Sequence, residues 1–134
     1  MPLSRDDILN INDIQVKLID VPAWKGKVED PSLYIRQLSR GEQDEYLKRQ
    51  YGATKMKQDK RAENQEITAI NLYGHDAFLC VAGICDAEGK RLFTRNDIPK
   101  LEEKLGSAIG FIAAEIVKFS DMTEDIAVLD ELKN

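Results

Sequence analysis

The sequence predicts an α+β fold: a mainly helical domain with a small N-terminal antiparallel β-ribbon. Three observations lead there. Ser4-x-x-Asp7, Ser39-x-x-Glu42 and Thr94-x-x-Asp97 are capping boxes. In each, a hydroxyl accepts from an early helix N–H and an acid three residues on accepts from the cap N–H. Two short alternating runs, rich in β-branched residues, lie between the first two boxes. Beyond Glu66, apolar residues recur at helical spacing. The 134 residues fit one domain. Within it, residues 3–38 form the turn and ribbon, and residues 39–134 form the helical part.

Ser4 opens a short N-terminal turn. Val16–Val21 follows, with Val16, Leu18 and Asp20 on one face and Ile19 and Val21 on the other. It stops at Pro22, as an edge strand does. Pro22-Ala-Trp24-Lys-Gly26 reads as a turn carrying one large aromatic, and Asp30-Pro31 as a second break. Ser32–Leu38 alternates again, with Leu33 and Ile35 opposite Tyr34 and Arg36. The two runs make an antiparallel ribbon. A lone ribbon is marginal in water, so it must pack on helices or pair with another chain.

The Ser39 box starts a polar helix expected to run to about Tyr51, before Gly52. Residues 48–65 carry six Lys or Arg against two acids. With few large apolar groups, the stretch at about 52–65 is predicted to be a mobile basic segment. Glu66–Cys85 is the strongest core candidate, with Ile67, Ile70, Ala77, Val81 and Ile84 at helical spacing and Gly74 a possible kink. Asp86-Ala-Glu-Gly89 is a turn, and Arg91-Leu-Phe93 is extended and leads to the Thr94 cap. Ile98, Leu101, Leu105, Ile109, Ile112, Ile116 and Phe119 then form one apolar stripe, predicting a single helix with Pro99 in its first turn. A last helix is expected after Thr123, with Ile126, Leu129 and Leu132 inward.

Charge and composition narrow the function. The net charge is −5, with one His and two Cys. A net negative chain is a poor general nucleic-acid binder. The longest apolar run, Ala77–Cys85, is far short of the roughly 20 residues of a membrane span. The first residues lack an apolar signal-peptide core, so the chain is expected to be soluble and unsecreted.

His75, Cys80 and Cys85 are spaced five apart. On a helix that spacing leaves neighbours about 140° apart, so they neither form a nucleophile–base pair nor share a metal. The thiols read as buried apolar groups and His75 as a surface or helix-end residue. Asp86-x-Glu88-Gly89 lacks the glycine and ligand order of a calcium loop. The chain therefore carries no predicted catalytic, cofactor or metal site. Gly106-x-x-x-Gly110 reads as close helix packing, with a partner groove as the alternative. Trp24 reads as a lid over the ribbon's inner face or as an interface anchor.

Taken in order, several of these motifs resemble those of a known family. They are Val21-Pro22-x-Trp24-x-Gly26, Leu33-Tyr34-Ile35-Arg36-x-Leu38-Ser39-x-x-Glu42-x-Asp44, Asp86-x-x-Gly89-x-Arg91-Leu92-Phe93-Thr94-x-x-Asp97, and Thr123-Glu124-Asp125 before the last helix. The chain resembles the tail assembly chaperones of long-tailed bacteriophages and their prophages from about Leu3 onward. It departs from the family pattern at Lys27–Pro31, which lengthens the ribbon turn. The resemblance implies a non-enzymatic helper in the host (bacterial) cytoplasm. Such proteins bind the phage tape measure protein, keep it soluble, help recruit the tail tube protein and are absent from the mature virion. A longer form is often made by ribosomal frameshifting.

The client-facing surface is expected on Trp24, Tyr34 and Arg36 of the ribbon and on exposed positions Ile109, Ile112 and Ile116. Self-association is expected as well, and neither nucleic acid nor membrane is expected as a partner. The alternatives are a minor structural or tail-completion protein kept in the virion, and an enzyme or thiol switch built on His75, Cys80 and Cys85.

Overall fold

A computed structural model describes residues 1–60 and 75–122, with backbone alone for 51–60. The order is α1 (Arg5–Asn10), β1 (Val16–Asp20), a 3-10 turn at Pro22–Trp24, β2 (Ser32–Arg36) and α2 (Arg40–Lys60). After these come α3 (His75–Gly83), β3 (Ile84–Cys85), a 3-10 turn at Arg95–Asp97, α4 (Ile98–Glu102) and α5 (Gly106–Phe119). The fold is α+β, mainly helical with a small antiparallel sheet. Among the described residues no helix is long and apolar enough to cross a membrane.

The boxes act as the sequence predicts. Ser4 N–H donates to the Asp7 carboxylate at 3.0 Å, and Asp7 N–H to the Ser4 hydroxyl at 3.1 Å. Ser39 N–H donates to Glu42 at 2.8 Å, and Glu42 N–H to the Ser39 hydroxyl at 3.2 Å. Thr94 N–H donates to Asp97 at 2.9 Å. α2 does not stop before Gly52 but continues as helix to Lys60. One glycine costs a helix only about 1 kcal/mol, too little to end one capped and packed at its other end.

The ribbon pairs Val16 with Arg36, Lys17 with Ile35, Leu18 with Tyr34, Ile19 with Leu33 and Asp20 with Ser32. Val21 N–H to the Pro31 carbonyl, 2.9 Å, closes it below the long turn. A third strand joins it: β3 pairs with β2, giving the order β1-β2-β3. Ile84 and Cys85 therefore leave the predicted helix. The apolar run crosses from helix to strand without a polar break. The Asp86–Lys90 turn then reverses the chain, so that Cys85 bridges Arg91.

The core lies between α3 and α5. Every α3 residue except Asp76 is buried. α5 lays Ala108, Ile109, Ile112, Ala113 and Ile116 against it. The close approach is at Gly83: a Cβ there would stand 2.5 Å from Ile116 Cδ1. Gly106 and Gly110 are not the packing pair. A Cβ on Gly106 would meet nothing within 4 Å, and on Gly110 only Asp76 Oδ2 at 4.0 Å.

The predicted single helix over Ile98–Phe119 is two. Leu105 is extended (φ −55°, ψ 126°) and half exposed, and α5 starts afresh at Gly106. Gly106 and Ser107 are weak helix formers, and the break lets Leu101 reach the core from a different direction.

A polar latch ties the end of α5 to the start of α2. Leu38 N–H donates to the Ser120 hydroxyl (2.9 Å), Gln37 to the Phe119 carbonyl (3.0 Å) and Gln43 to the Leu38 and Ser120 carbonyls (3.2 and 3.3 Å). Asp121 (φ 61°) ends the helix in the left-handed region. Met122 N–H returns to the Val117 carbonyl (3.0 Å), with the Met122 side chain fully buried. The expectations for Glu66–Gly74, for basic residues 61–65 and for the helix after Thr123 lie outside the described residues.

Candidate functional site

Two exposed features meet in the N-terminal part. The first is the free edge of β1. Gln15 and Val21 bond toward the β2 side, through Gln37 N–H to the Gln15 carbonyl (3.0 Å) and Val21 N–H to the Pro31 carbonyl (2.9 Å). Alternation then turns the peptide groups of Lys17 and Ile19 to β2 and those of Val16, Leu18 and Asp20 away from it. Among the described residues no strand takes that edge. On the outer face Leu18, 54% exposed, stands opposite Tyr34, 36% exposed.

The second feature is the arm formed by residues 1–13. α1 has no buried residue, although Leu3, Ile8, Leu9 and Ile11 are apolar and all about half exposed or more. Leu3 and Ile8 hold the two positions of a hydrophobic staple around the Ser4 cap. Burial keeps no arm residue in place. A helix of six residues is marginal in water on its own. Where the arm joins the sheet, Asn12, Ile14, Val16, Arg36, Ala87, Glu88 and Gly89 line a cavity of about 330 Å³.

Behind this surface sits a charged hub. Glu42, its side chain 11% exposed, accepts from Arg36 at 2.9 and 3.1 Å and from Arg91. Arg36 also donates to the Ala82 carbonyl at 3.0 Å. Arg95 pairs with Glu45. Burial, then the neighbouring Arg36 and Arg95, pull the Arg91 pKa below its usual value. The hub joins β2, α2 and the loop after β3.

The predicted interface residues fall into three groups. Tyr34 is on the surface. Trp24 is half-buried against the core. Arg36 is committed to Glu42 and Ala82, so its head group is held inside the protein rather than offered outward. Ile109, Ile112 and Ile116 are not exposed: they are 6%, 0% and 0% accessible. The stripe that marked them is the core-facing stripe of α5.

His75 is also buried rather than on the surface, with its ring edge-on to Tyr46 at 6.4 Å. Tyr46 stacks on Phe78, and Arg49 lies 4.6 Å over the Phe78 ring. Cys80 and Cys85 are buried free thiols. Burial, then the Asp76 charge, pushes the Cys80 pKa up to about 12, which leaves the thiol protonated and inert. The Cys85 pKa is raised too, by burial first. Among the described residues no group of His, Cys, Asp and Glu is placed to hold a metal.

Sequence reasoning missed Leu18, Leu3, Ile8, Leu9 and Ile11. The signals were present: alternation set Leu18 beside Asp20 on the polar face, and the arm is apolar before any core element begins. Searches against family models, curated proteins and solved structures find no match for this chain.

Proposed function

We propose that this chain is a non-enzymatic binding module, a tail assembly chaperone of the long-tailed phage type. Its client is the tape measure protein, which it keeps soluble in the host cytoplasm while tail tube subunits are recruited, and it leaves before the particle is finished. The observation that carries this reading is the ordered motif series from Val21-Pro22-x-Trp24-x-Gly26 to Asp86-x-x-Gly89-x-Arg91-Leu92-Phe93-Thr94.

The exposed features support it. A client that is long, helical and prone to aggregate needs apolar cover and many weak contacts. The arm offers Leu3, Ile8, Leu9 and Ile11 outside the core, and the β1 edge offers backbone groups that no strand takes among the described residues. Repeated along a rod, such contacts gain strength from multivalency. The inert thiols and committed charges fit a protein that holds other chains rather than transforming them.

Co-expression with the tape measure protein tests the proposal. The expected result is a soluble client and a complex recovered by pull-down. Unchanged client solubility with no complex refutes it. Mass spectrometry of purified virions provides a second arm: finding this chain in the particle favours a structural or tail-completion role instead.

A further inference from the structure

We propose that the free edge of β1 pairs antiparallel with the same edge of a second copy, centred on Leu18, and that each copy's arm lies along the other's Pro22–Val28 turn. The first ground is register. With Leu18 opposite Leu18 of the second copy, Val16 falls opposite Asp20 on both sides. The residues whose peptide groups point away from β2 are then matched with one another, giving about six new backbone hydrogen bonds. Lys17 falls opposite Ile19, so no like charges face each other.

The neighbouring registers are worse for stated reasons. Centring on Lys17 sets two ammonium groups face to face, and centring on Asp20 sets two carboxylates face to face. Centring on Ile19 brings Pro22, which has no N–H, opposite Val16. Of the registers centred on Lys17, Leu18, Ile19 and Asp20, the one centred on Leu18 is thus free of these faults.

The second ground is what the register does with the arm. Antiparallel continuation beyond Val16 carries residues 14 to 12 alongside Pro22–Trp24 of the second copy. There Val28 is 53% exposed and Trp24 is half-buried. Lys25 and Lys27 flank them and are exposed. The arm brings Ile8, Leu9 and Ile11 with three acids, Asp6, Asp7 and Asp13, against Arg5. Apolar groups meet apolar groups, and an acidic arm meets a basic turn. One operation covers the edge, Leu18, the arm and the turn, and the contact is isologous, as in most dimers.

The test uses the isolated full chain, so its failure leaves the chaperone reading standing. Sedimentation across a concentration series should show a monomer–dimer equilibrium. Leu18→Lys and Leu18→Glu should each weaken it about tenfold or more, by setting like charges opposite each other. Leu18 points outward, so circular dichroism should stay as in the parent, and so should melting at concentrations where the parent is monomeric. Mixing the two variants should restore dimers, because Lys then faces Glu.

Leu18→Cys should oxidise to a covalent dimer. Asp20→Cys should not, because the two Asp20 positions lie about 14 Å apart, four residues at ~3.4 Å each. The buried Cys80 and Cys85 stay silent in this assay. A parent that is monomeric throughout overturns the proposal. So do charge variants that dimerise as the parent does, or a mixture with no gain over either variant alone. An edge protected from amide exchange only when a tape measure client is added also overturns it and gives the edge to the client.

Discussion

Gly83→Ala should destabilise the protein although alanine is the better helix former. The new Cβ would stand 2.5, 2.8 and 2.9 Å from Cδ1, Cγ1 and Cγ2 of Ile116. Real Cβ contacts are not found that close, so something must move. Ile116 is fully buried and, being β-branched, stiff at χ1; rotating one branch away brings the other in. Overpacking of this kind costs about 1–3 kcal/mol, against a helix-propensity gain of up to about 1 kcal/mol. The net loss is about 1–2 kcal/mol, which lowers the urea midpoint by roughly 0.5–1 M.

Ile116→Ala removes all three clashing atoms and by itself costs about 2–5 kcal/mol. In that background Gly83→Ala should be neutral or mildly stabilising, because its methyl enters the space just vacated. A double-mutant cycle by urea unfolding should therefore show favourable coupling of about 1–3 kcal/mol. Additivity within about 0.5 kcal/mol, or a stabilised single Gly83→Ala variant, refutes the close approach of α3 and α5.

Glu42→Gln should cost about 2–3 kcal/mol in chemical unfolding, because it strips the charge partner from Arg36 and Arg91. Arg40→Ala breaks the exposed pair with Asp44 and the 2.7 Å hydrogen bond to Gln43 Oε1, and should cost about 0.5–1.5 kcal/mol, less than Glu42→Gln. Asp121→Gly should stabilise by about 0.5–1 kcal/mol in thermal melts, because it relieves a left-handed φ. The Cys80 thiol should resist alkylation in the native protein and react on unfolding. Its folded pKa is about 12 against an ordinary value of 9.0, so folding favours the protonated thiol; its contribution is complete below about pH 9 and is lost as pH rises toward 12. Deleting residues 1–13 should move the melting temperature little, because the arm buries nothing, while weakening self-association.

The ribbon and the caps could be read in advance because their signals are local. Ser4, Ser39 and Thr94 each need only an acid three residues on. Alternation in Val16–Val21 and Ser32–Leu38 fixes which side faces inward. β3 could not be read, because Ile84 and Cys85 take strand geometry from pairing with Ile35 and Tyr34, some fifty residues back. Nor could the α4–α5 break, since an apolar stripe keeps its spacing across an interruption that only Leu105 and Gly106 mark. The misplaced interface follows from the same limit. Spacing shows that Ile109, Ile112 and Ile116 share a face, but not whether that face meets the core or solvent. The actual surface residues, Leu18 and those of the arm, lie in segments too short for periodicity to report.

Burial separates stability from recognition in this chain. Where α3 meets α5, neither helix gives up surface without loss: Gly83 touches Ile116, and Cys80 donates weakly to the Ile109 carbonyl at 3.8 Å. The free β1 edge and the arm are joined to that core through β2 and the Glu42 hub, yet contribute no fully buried side chain of their own before Val21. An open edge is an aggregation hazard that proteins normally blunt. Here the only charges on the strand are Lys17 and Asp20, and Leu18 between them is bare on the outer face. Removing that hazard would need one substitution at an exposed site, with almost no stability at stake. That the edge nevertheless carries leucine is the physical argument for reading it as a contact surface.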